Sequence, residues 1–364
     1  MSAISLSMIV KNEEKSLERC LRSVEGIPDE IIIIDTGSED NTKAIARNFT
    51  SQVFDFEWVD DFSAARNDSF ERAAMDYILW LDADDVLLPE ERTKFLTLKN
   101  TLAPNVDAVS MIYHTAFDSE NNVTQSNRRL RLVRRSKNFT WSGIVHEDLT
   151  TDSKFHYYDS DIVVTHLKPQ GGHGSSKRNL LLYKRHIEDG RALRPADLFH
   201  YAQELRMHEE FDEAIPYYLP FLQTSQINVD AVLLALHELA KCYHLTGNFE
   251  KEWECTLKSL ELDVPRPEFS CRFGERFLQQ NQFRQAIFWY ELALRDQSDV
   301  SDRAIENYPF KTWLPHKQLG LCYYRINNYE RSLHHNKSAR QYLPHDQGIE
   351  TNIRLLEGLV NGVK

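Results

Sequence analysis

Apolar runs and segments of helical period alternate from Ile4 to Leu81. Ile4 to Val10 reads as a strand, and Ile31 to Ile34, an unbroken isoleucine run, as a buried one. Between them Leu17, Cys20, Leu21 and Val24 fall at helical spacing, and Gly26 and Pro28 end that helix. Ile45 and Phe49 mark a second helix, with Asp40 or Asn41 as its cap. Gln52 to Phe54 is a short strand and Phe62 to Ala74 a helix. Tyr77 to Leu81 is apolar at every position, which predicts a strand covered on both faces. This strand–helix alternation predicts an α/β class with right-handed parallel crossovers, a Rossmann-like sheet. Beyond Pro89 the stretches Val106 to Tyr113, Arg128 to Val133, Phe139 to His146 and Asp161 to His166 extend or cover that sheet. A glycine-rich, partly basic loop, GGHGSSKRN, occupies 171–179, and helical period fills the remainder.

The helical half repeats itself. Glu210-Phe211-Asp212-Glu213-Ala214, Asn248-Phe249-Glu250-Lys251-Glu252, Gln282-Phe283-Arg284-Gln285-Ala286 and Asn328-Tyr329-Glu330-Arg331-Ser332 share one pattern around an aromatic residue. Their spacing, close to the ~34 residues of a helix–turn–helix unit, resembles tetratricopeptide repeats. Such units stack into a curved solenoid whose groove takes a peptide or a second copy of the protein. The division expected from these patterns is an α/β domain over 1–180 and a repeat domain over 181–364.

Composition removes several function classes. The net charge of −12 argues against nucleic-acid binding by bulk electrostatics. The five cysteines are scattered, without a Cys-x-x-Cys pair, as in a reducing compartment. No apolar run approaches the ~20 residues of a membrane span, and MSAISLSMIV lacks the basic start of a signal peptide. A cytoplasmic location is the expectation. The first strand is not followed by G-x-G-x-x-G, which argues against a dinucleotide oxidoreductase.

The candidate chemistry gathers where strands end. Tyr77 to Leu81 runs into Asp82, Ala83, Asp84 and Asp85, and carboxylates at the carboxyl end of a buried strand need a positive partner. A divalent cation shared with a phosphate meets that need. Asp84 is the expected direct ligand, Asp82 a ligand or ribose contact, and Asp85 either a turn cap or an acceptor behind them. Asp35 ends a second strand, and Arg66 and Asn67 lie between the two in FSAARN.

Together SMIVKNEE, IIIIDTGSEDNT, FSAARN and LDADD resemble family 2 glycosyltransferases of the GT-A fold, strongly over about residues 4–90 and more loosely over 90–180. The resemblance implies a UDP-sugar donor, Mn2+ or Mg2+, and inversion at the anomeric carbon. It implies that Val10, Asn12, Glu13, Asp35, Arg66, Asn67, Asp82, Ala83 and Lys177 contact the nucleotide-sugar. It also makes His166, at the end of DIVVTH, a third metal ligand beside Asp84 and Asp82. In WSGIVHEDL it implies Glu147 as general base, with His146 beside it and Asp148 as runner-up. Arg129, Arg131, Arg134 and Arg135 are open between a diphosphate or acceptor contact and a charged strand edge. With the repeats, the chain resembles bacterial peptide and protein glycosyltransferases, including bacteriocin S-glycosyltransferases. The expected acceptor is then a Cys, Ser or Thr side chain, held by the repeats unless these make a homodimer. The alternatives are a lipopolysaccharide-core or other cell-surface glycan acceptor, and a repeat scaffold carrying a dead sugar-nucleotide domain. Intact Asp82 and Asp84 argue against the last.

Overall fold

The computed structural model describes residues 2–167, 177–224, 227–295 and 305–362. They divide into two units, one of residues 1–115 and 127–210, the other of 116–126 and 211–364.

The first unit is built on a mixed sheet. In chain order it comprises β1 (Ile4–Val10), α1 (Leu17–Ser23), β2 (Glu30–Asp35), α2 (Thr42–Arg47), β3 (Val53–Asp55), α3 (Phe62–Glu71), β4 (Tyr77–Trp80), β5 (Asp85–Val86), α4 (Pro89–Thr101), β6 (Ala108–Phe117), β7 (Val123–Arg134), β8 (Thr140–Ser142), β9 (Asp148–Thr150), β10 (Tyr157–His166), α5 (Arg178–Glu188) and α6 (Pro195–Met207). The strand order is β3-β2-β1-β4-β7-β6-β10-β5, with β8 and β9 forming a separate pair. β1, β2, β3 and β4 are parallel, so Val10 and Asp35 lie side by side at their carboxyl ends and β4 ends nearby. β7 then runs antiparallel to β4, while β10 runs parallel to β6 and antiparallel to β5, so the second half of the sheet is mixed.

The unbroken apolar run of β4 is explained by two cores. Tyr77, Leu79 and Leu81 pack on one face with Leu6, Met8, Leu17, Leu21 and Phe95. Ile78 and Trp80 pack on the other with Ile32, Ile34, Phe70, Val133 and Trp141. Successive strand residues alternate faces, so a strand covered twice has no polar phase. The segment over 139–146, expected to extend or cover the sheet, is extended only at β8, which pairs with β9 apart from that sheet. Gly143, at φ +133°, and His146, at φ +59°, turn the chain out of extended geometry.

The second unit is a series of helix hairpins, α7 (Phe211–Leu222), α8 (Val229–Leu245), α9 (Phe249–Ser259), α10 (Pro267–Gln279), α11 (Phe283–Ala293), α12 (Trp313–Arg325), α13 (Tyr329–Tyr342) and α14 (Gln347–Gly362). The two-residue β11 (Glu306–Asn307) pairs with Ser126 and Gln125 at the tip of the β6–β7 hairpin, which belongs to this unit. The four aromatic motifs share one backbone turn. Glu209, Gly247, Asn281 and Asn327 all take positive φ. The next N–H in each case reaches a carbonyl five residues back, Glu210 to Leu205 at 2.9 Å, Asn248 to Tyr243 at 2.8 Å, Gln282 to Phe277 at 2.9 Å and Asn328 to Tyr323 at 2.9 Å. That is the left-handed stop that satisfies a helix's last carbonyls. Asn248 and Asn328 then accept from Lys251 and Arg331 N–H and start the next helix. The region is thus an array of tetratricopeptide-like hairpins.

Packing inside a hairpin is sized residue by residue. A Cβ on Gly274 would lie 2.8 Å from the Tyr290 ring, and Tyr290 is itself buried. The aligned pair in the preceding repeat is Ala240 with the smaller Thr256. Gly274→Ala is therefore expected to cost about 1–3 kcal/mol by overpacking, read as a lower Tm. An unchanged Tm would show that the α10–α11 contact is loose.

The expected boundary at residue 180 and the structural division differ. α5 and α6 are helical but belong to the first unit, because they bury Leu180, Tyr183, Phe199, Tyr201 and Leu205 and Tyr183 donates to the Val145 carbonyl. All five cysteines are free and buried. Among the described residues no helix is long and apolar enough to cross a membrane.

Candidate active site

The turn after β4 divides its carboxylates. Asp85 N–H donates to the Asp82 carbonyl at 3.0 Å, and Asp82 N–H donates to Asp85 Oδ2 at 3.0 Å. The Asp85 side chain is fully buried. Arg131 of β7, equally buried, lies 3.0 Å from Asp85 Oδ2, and Tyr113 of β6 donates to Oδ1 at 2.8 Å. The Arg131 guanidinium sits over the Trp80 ring at 3.9 Å and the Tyr113 ring at 4.3 Å. A buried carboxylate needs this many partners to remain charged. With Asp85 turned inward, Asp82 and Asp84 line a cavity of about 490 Å³.

Strand register brings in the next ligand. β5 and β10 pair so that His166 stands opposite Asp85. His166 Nδ1 lies 3.2 Å from Asp84 Oδ1 and 3.4 Å from Asp85 Oδ1. Ligand atoms of Asp84, Asp85 and His166 all fall within 4.8 Å of one another. Burial alone would lower the imidazole pKa, but its hydrogen bonds to Asp84 and Asp85 outweigh that and raise it to about 9.

Arg66 of α3 joins the two sides of the cavity. Its Nη2 is 2.7 Å from Asp82 Oδ1 and its Nε 3.5 Å from Glu147 Oε1. Its guanidinium lies over the Trp141 ring at 4.9 Å and the Trp80 ring at 5.2 Å. Burial works against the charge on Asp82, yet Arg66 and then Arg131 hold it well below the ordinary carboxylate range. Glu13 is pushed the other way, by burial first and then by Asp84 and Asp82, against its hydrogen bond from Ser16.

The loop from Trp141 to Glu147 is held from two directions. Asn67 brackets Trp141, donating to its carbonyl at 3.0 Å and accepting from its N–H at 2.8 Å. Ser63 donates to the Gly143 carbonyl at 2.8 Å. From the other side Tyr183 donates to the Val145 carbonyl at 2.9 Å, and Arg194 donates to Ser142 Oγ at 2.9 Å. His146 Nε2 lies 2.9 Å from Glu204 Oε1 of α6.

Of the residues singled out in the sequence, Val10, Glu13, Arg66, Asp82, Ala83, Asp84, His146, Glu147 and His166 face this one cavity. Asn12, Asp35, Asn67 and Lys177 are not among its lining residues. Asn12, at φ +56°, accepts from Glu39 N–H and ties two loops together. Asp35 is buried and accepts from Gly37 and Ser38 N–H through Oδ1, while Oδ2 has no partner. Asn67 serves the Trp141 loop. Lys177 is exposed at the start of α5, and the neighbouring Arg178 lines the cavity instead, over the Phe62 ring at 4.8 Å. His173 lies outside the described residues. Asp82, expected as a ligand beside Asp84 and His166, pairs with Arg66, and Asp85 completes the cluster in its place. Arg129, Arg131, Arg134 and Arg135 part company. Arg131 neutralises Asp85, Arg129 lines the cavity, Arg134 pairs with Asp107 at 3.0 Å, and Arg135 donates to the Met75 carbonyl at 2.9 Å. Tyr113 and Glu204 carry no signal in the sequence. Tyr113 sits in an apolar run and Glu204 in an amphipathic helix, and neither pattern signals chemistry.

Comparison with known proteins agrees with the geometry. Residues 5–153 match the model of glycosyl transferase family 2. A TPR repeat-containing protein of Synechococcus elongatus is 38% identical over 42% of this chain and 36% of its own length. The SPbeta prophage-derived glycosyltransferase SunS of Bacillus subtilis is 29% identical over 59% of this chain and 52% of its own. The chain thus spans between about a third and about half of these curated relatives. A crystal structure of MamA superposes on 44% of this chain and 84% of that one, at 20% identity and a TM-score of 0.34. Residues 5–153, which carry the parallel strands β1 to β4 and the carboxylate turn, thus match glycosyl transferase family 2.

Proposed function

We propose that the first unit is a metal-assisted, inverting glycosyltransferase. It moves a hexose or N-acetylhexosamine from a UDP-sugar to a Cys, Ser or Thr side chain of a peptide or protein. The observation that supports this best is the convergence of Asp84, His166, the Asp82–Arg66 pair and Glu147 on one cavity at the strand ends.

The residues present fit a divalent cation. Asp84 and His166 offer an oxygen and a nitrogen at hydrogen-bond separation, a donor set suited to Mn2+ or Mg2+. Asp85, with both oxygens engaged by Arg131, Tyr113 and Asp82 N–H, steadies His166 from behind. When bound there, the cation supplies positive charge for the departing diphosphate. The chain's own part is positioning. Arg66 fixes Asp82 toward the ribose side, and Arg129 and Arg178 add positive charge to the cavity wall. Glu147 and His146 sit on the acceptor side, in the loop clamped by Asn67 and Tyr183. For the second unit, a largely apolar cleft of about 300 Å³, with Phe249, Trp253 and Phe310 in its wall, supports acceptor binding by the repeats.

Calorimetric titration with UDP, with and without Mn2+, tests this reading. Binding that requires the metal is expected, and UDP binding that ignores Mn2+, or none at all, would leave a scaffold. The metal step is also expected to depend on pH. His166 holds a proton up to about pH 9 in the metal-free protein, and a ligand imidazole must lose it. Mn2+ affinity should therefore rise with pH, by about tenfold between pH 6.5 and 7.5 for one proton released. An affinity flat across that interval would take His166 out of the ligand set.

A further inference from the structure

The acceptor side holds an imidazole whose surroundings the proposed reaction does not yet use. His146 is set on three sides. Its Nε2 is 2.9 Å from Glu204 Oε1. Its ring stacks on His200, with centroids 4.7 Å apart and planes 28° apart. His146 also lines the cavity, with 36% of its side chain exposed. Glu204 is 2% exposed and also accepts from Asn179 Nδ2 at 3.2 Å. Burial pushes its carboxyl up, but the hydrogen bonds with His146 and Asn179 outweigh that and keep it ionised. His200 is buried deeply enough that its imidazole stays neutral well below the ordinary range, so it adds no charge behind His146. A carboxylate facing Nε2 fixes the proton on that nitrogen and leaves the lone pair on Nδ1. Glu147, by contrast, is 10% exposed and faces Arg66.

We infer that His146 is the proton acceptor for the incoming nucleophile and that Glu204 is its positioning residue, with Glu147 serving to hold Arg66. The inference rests on the glycosyltransferase reading. In the step it describes, the acceptor S–H or O–H proton passes to His146 Nδ1. The acceptor's lone pair forms the bond to the anomeric carbon. The bond from that carbon to the phosphate oxygen breaks, and its electron pair leaves with the nucleoside diphosphate. Glu204 stabilises the imidazolium without taking its proton. The same contact explains the backbone. His146 has φ +59°, a conformation that costs a non-glycine residue about 1–3 kcal/mol, and the Glu204 bond helps to hold it.

That backbone supplies a clean variant. Glycine accepts positive φ without strain, so His146→Gly should keep its fold. The probe is hydrolysis of UDP-glucose, UDP-galactose and UDP-N-acetylglucosamine with Mn2+, in which water stands in for the acceptor. His146→Gly is expected to lower kcat about 100-fold, with part of the loss restored by added imidazole. Glu204→Gln should lower kcat at least tenfold with donor KM unchanged, and should cost nothing further in the His146→Gly background. Full activity in either variant, additive losses, or no rescue by imidazole would overturn the assignment. A wild-type chain that turns over none of the three donors would instead overturn the glycosyltransferase reading, and the base assignment with it. The tautomer is read without turnover. A long-range 1H–15N spectrum should show the His146 proton on Nε2 in the wild type, and its finding on Nδ1 would also refute the assignment.

Discussion

Asp84→Ala is expected to abolish donor turnover, by at least about 10³-fold, while leaving Tm nearly unchanged. The reason lies in how the turn after β4 is divided. Asp85 carries the structural load, since it is buried and bound by Arg131, Tyr113 and the Asp82 N–H. Asp84 is partly exposed, and among the described residues its side chain pairs with His166, at 3.2 Å. Losing a partly exposed pair costs on the order of 1 kcal/mol or less, and one negative charge leaves a cluster that already holds Asp82, Asp85 and Glu13. The chemical loss is of another size. Charge developing on a leaving diphosphate is stabilised in proportion to the cation's placement, and losing such stabilisation costs several kcal/mol of barrier. Asp85→Ala should show the opposite balance. It strands Arg131 in the core, and a buried charge without its partner costs about 3–5 kcal/mol. Activity and melting measured side by side check both. Equal loss of Tm in the two variants would mean that Asp84, too, is structural.

Much of this arrangement could be read from residues alone, for reasons that are local. The apolar run at Tyr77 to Leu81 predicted a strand covered on both faces, because a strand with two cores has no polar phase. Placing Asp82 and Asp84 at its carboxyl end followed directly. What could not be read was the direction of each side chain. Asp82, Asp84 and Asp85 are chemically alike in sequence, and only the fold sends Asp85 inward to Arg131. The same holds for β7, where Arg129 and Arg131 alternate with leucines. Alternation shows which residues share a face but not that the face is interior, and β7 lies between β4 and β6. Asn67 was legible as special but not as a clamp, because its partner Trp141 is far along the chain. Glu204 left no trace, since one acid on an amphipathic helix looks like any solvated one.

The largest consequence concerns where the first unit ends. A chain stopped after Glu210 is expected to keep metal-dependent UDP binding, whereas one stopped after Leu193 should lose it. Helical period alone placed α5 and α6 with the repeats, yet they belong to the unit that holds the cavity. α6 contributes Phe199, Tyr201 and Leu205, all buried, at about 1.5–3 kcal/mol each. It also carries Glu204 against His146, and Arg194 just ahead of it reaches Ser142. Removing it exposes the apolar faces that it covers and frees the loop from Trp141 to Glu147 on one side. The summed loss, roughly 5–9 kcal/mol from burial alone, is comparable to the whole stability of a typical domain. The chain stopped at 210 keeps all of those contacts, and its losses include, at the hairpin tip, the pairing of Gln125 and Ser126 with β11 and the bond from Asn122 Nδ2 to the Tyr342 carbonyl at 2.9 Å. Thermal melting and UDP titration on both truncations decide the matter. Retained UDP binding in the shorter chain would return α6 to the repeats and reduce Glu204 to a solvated acid. Loss in the longer one would mean that the repeats themselves complete the site.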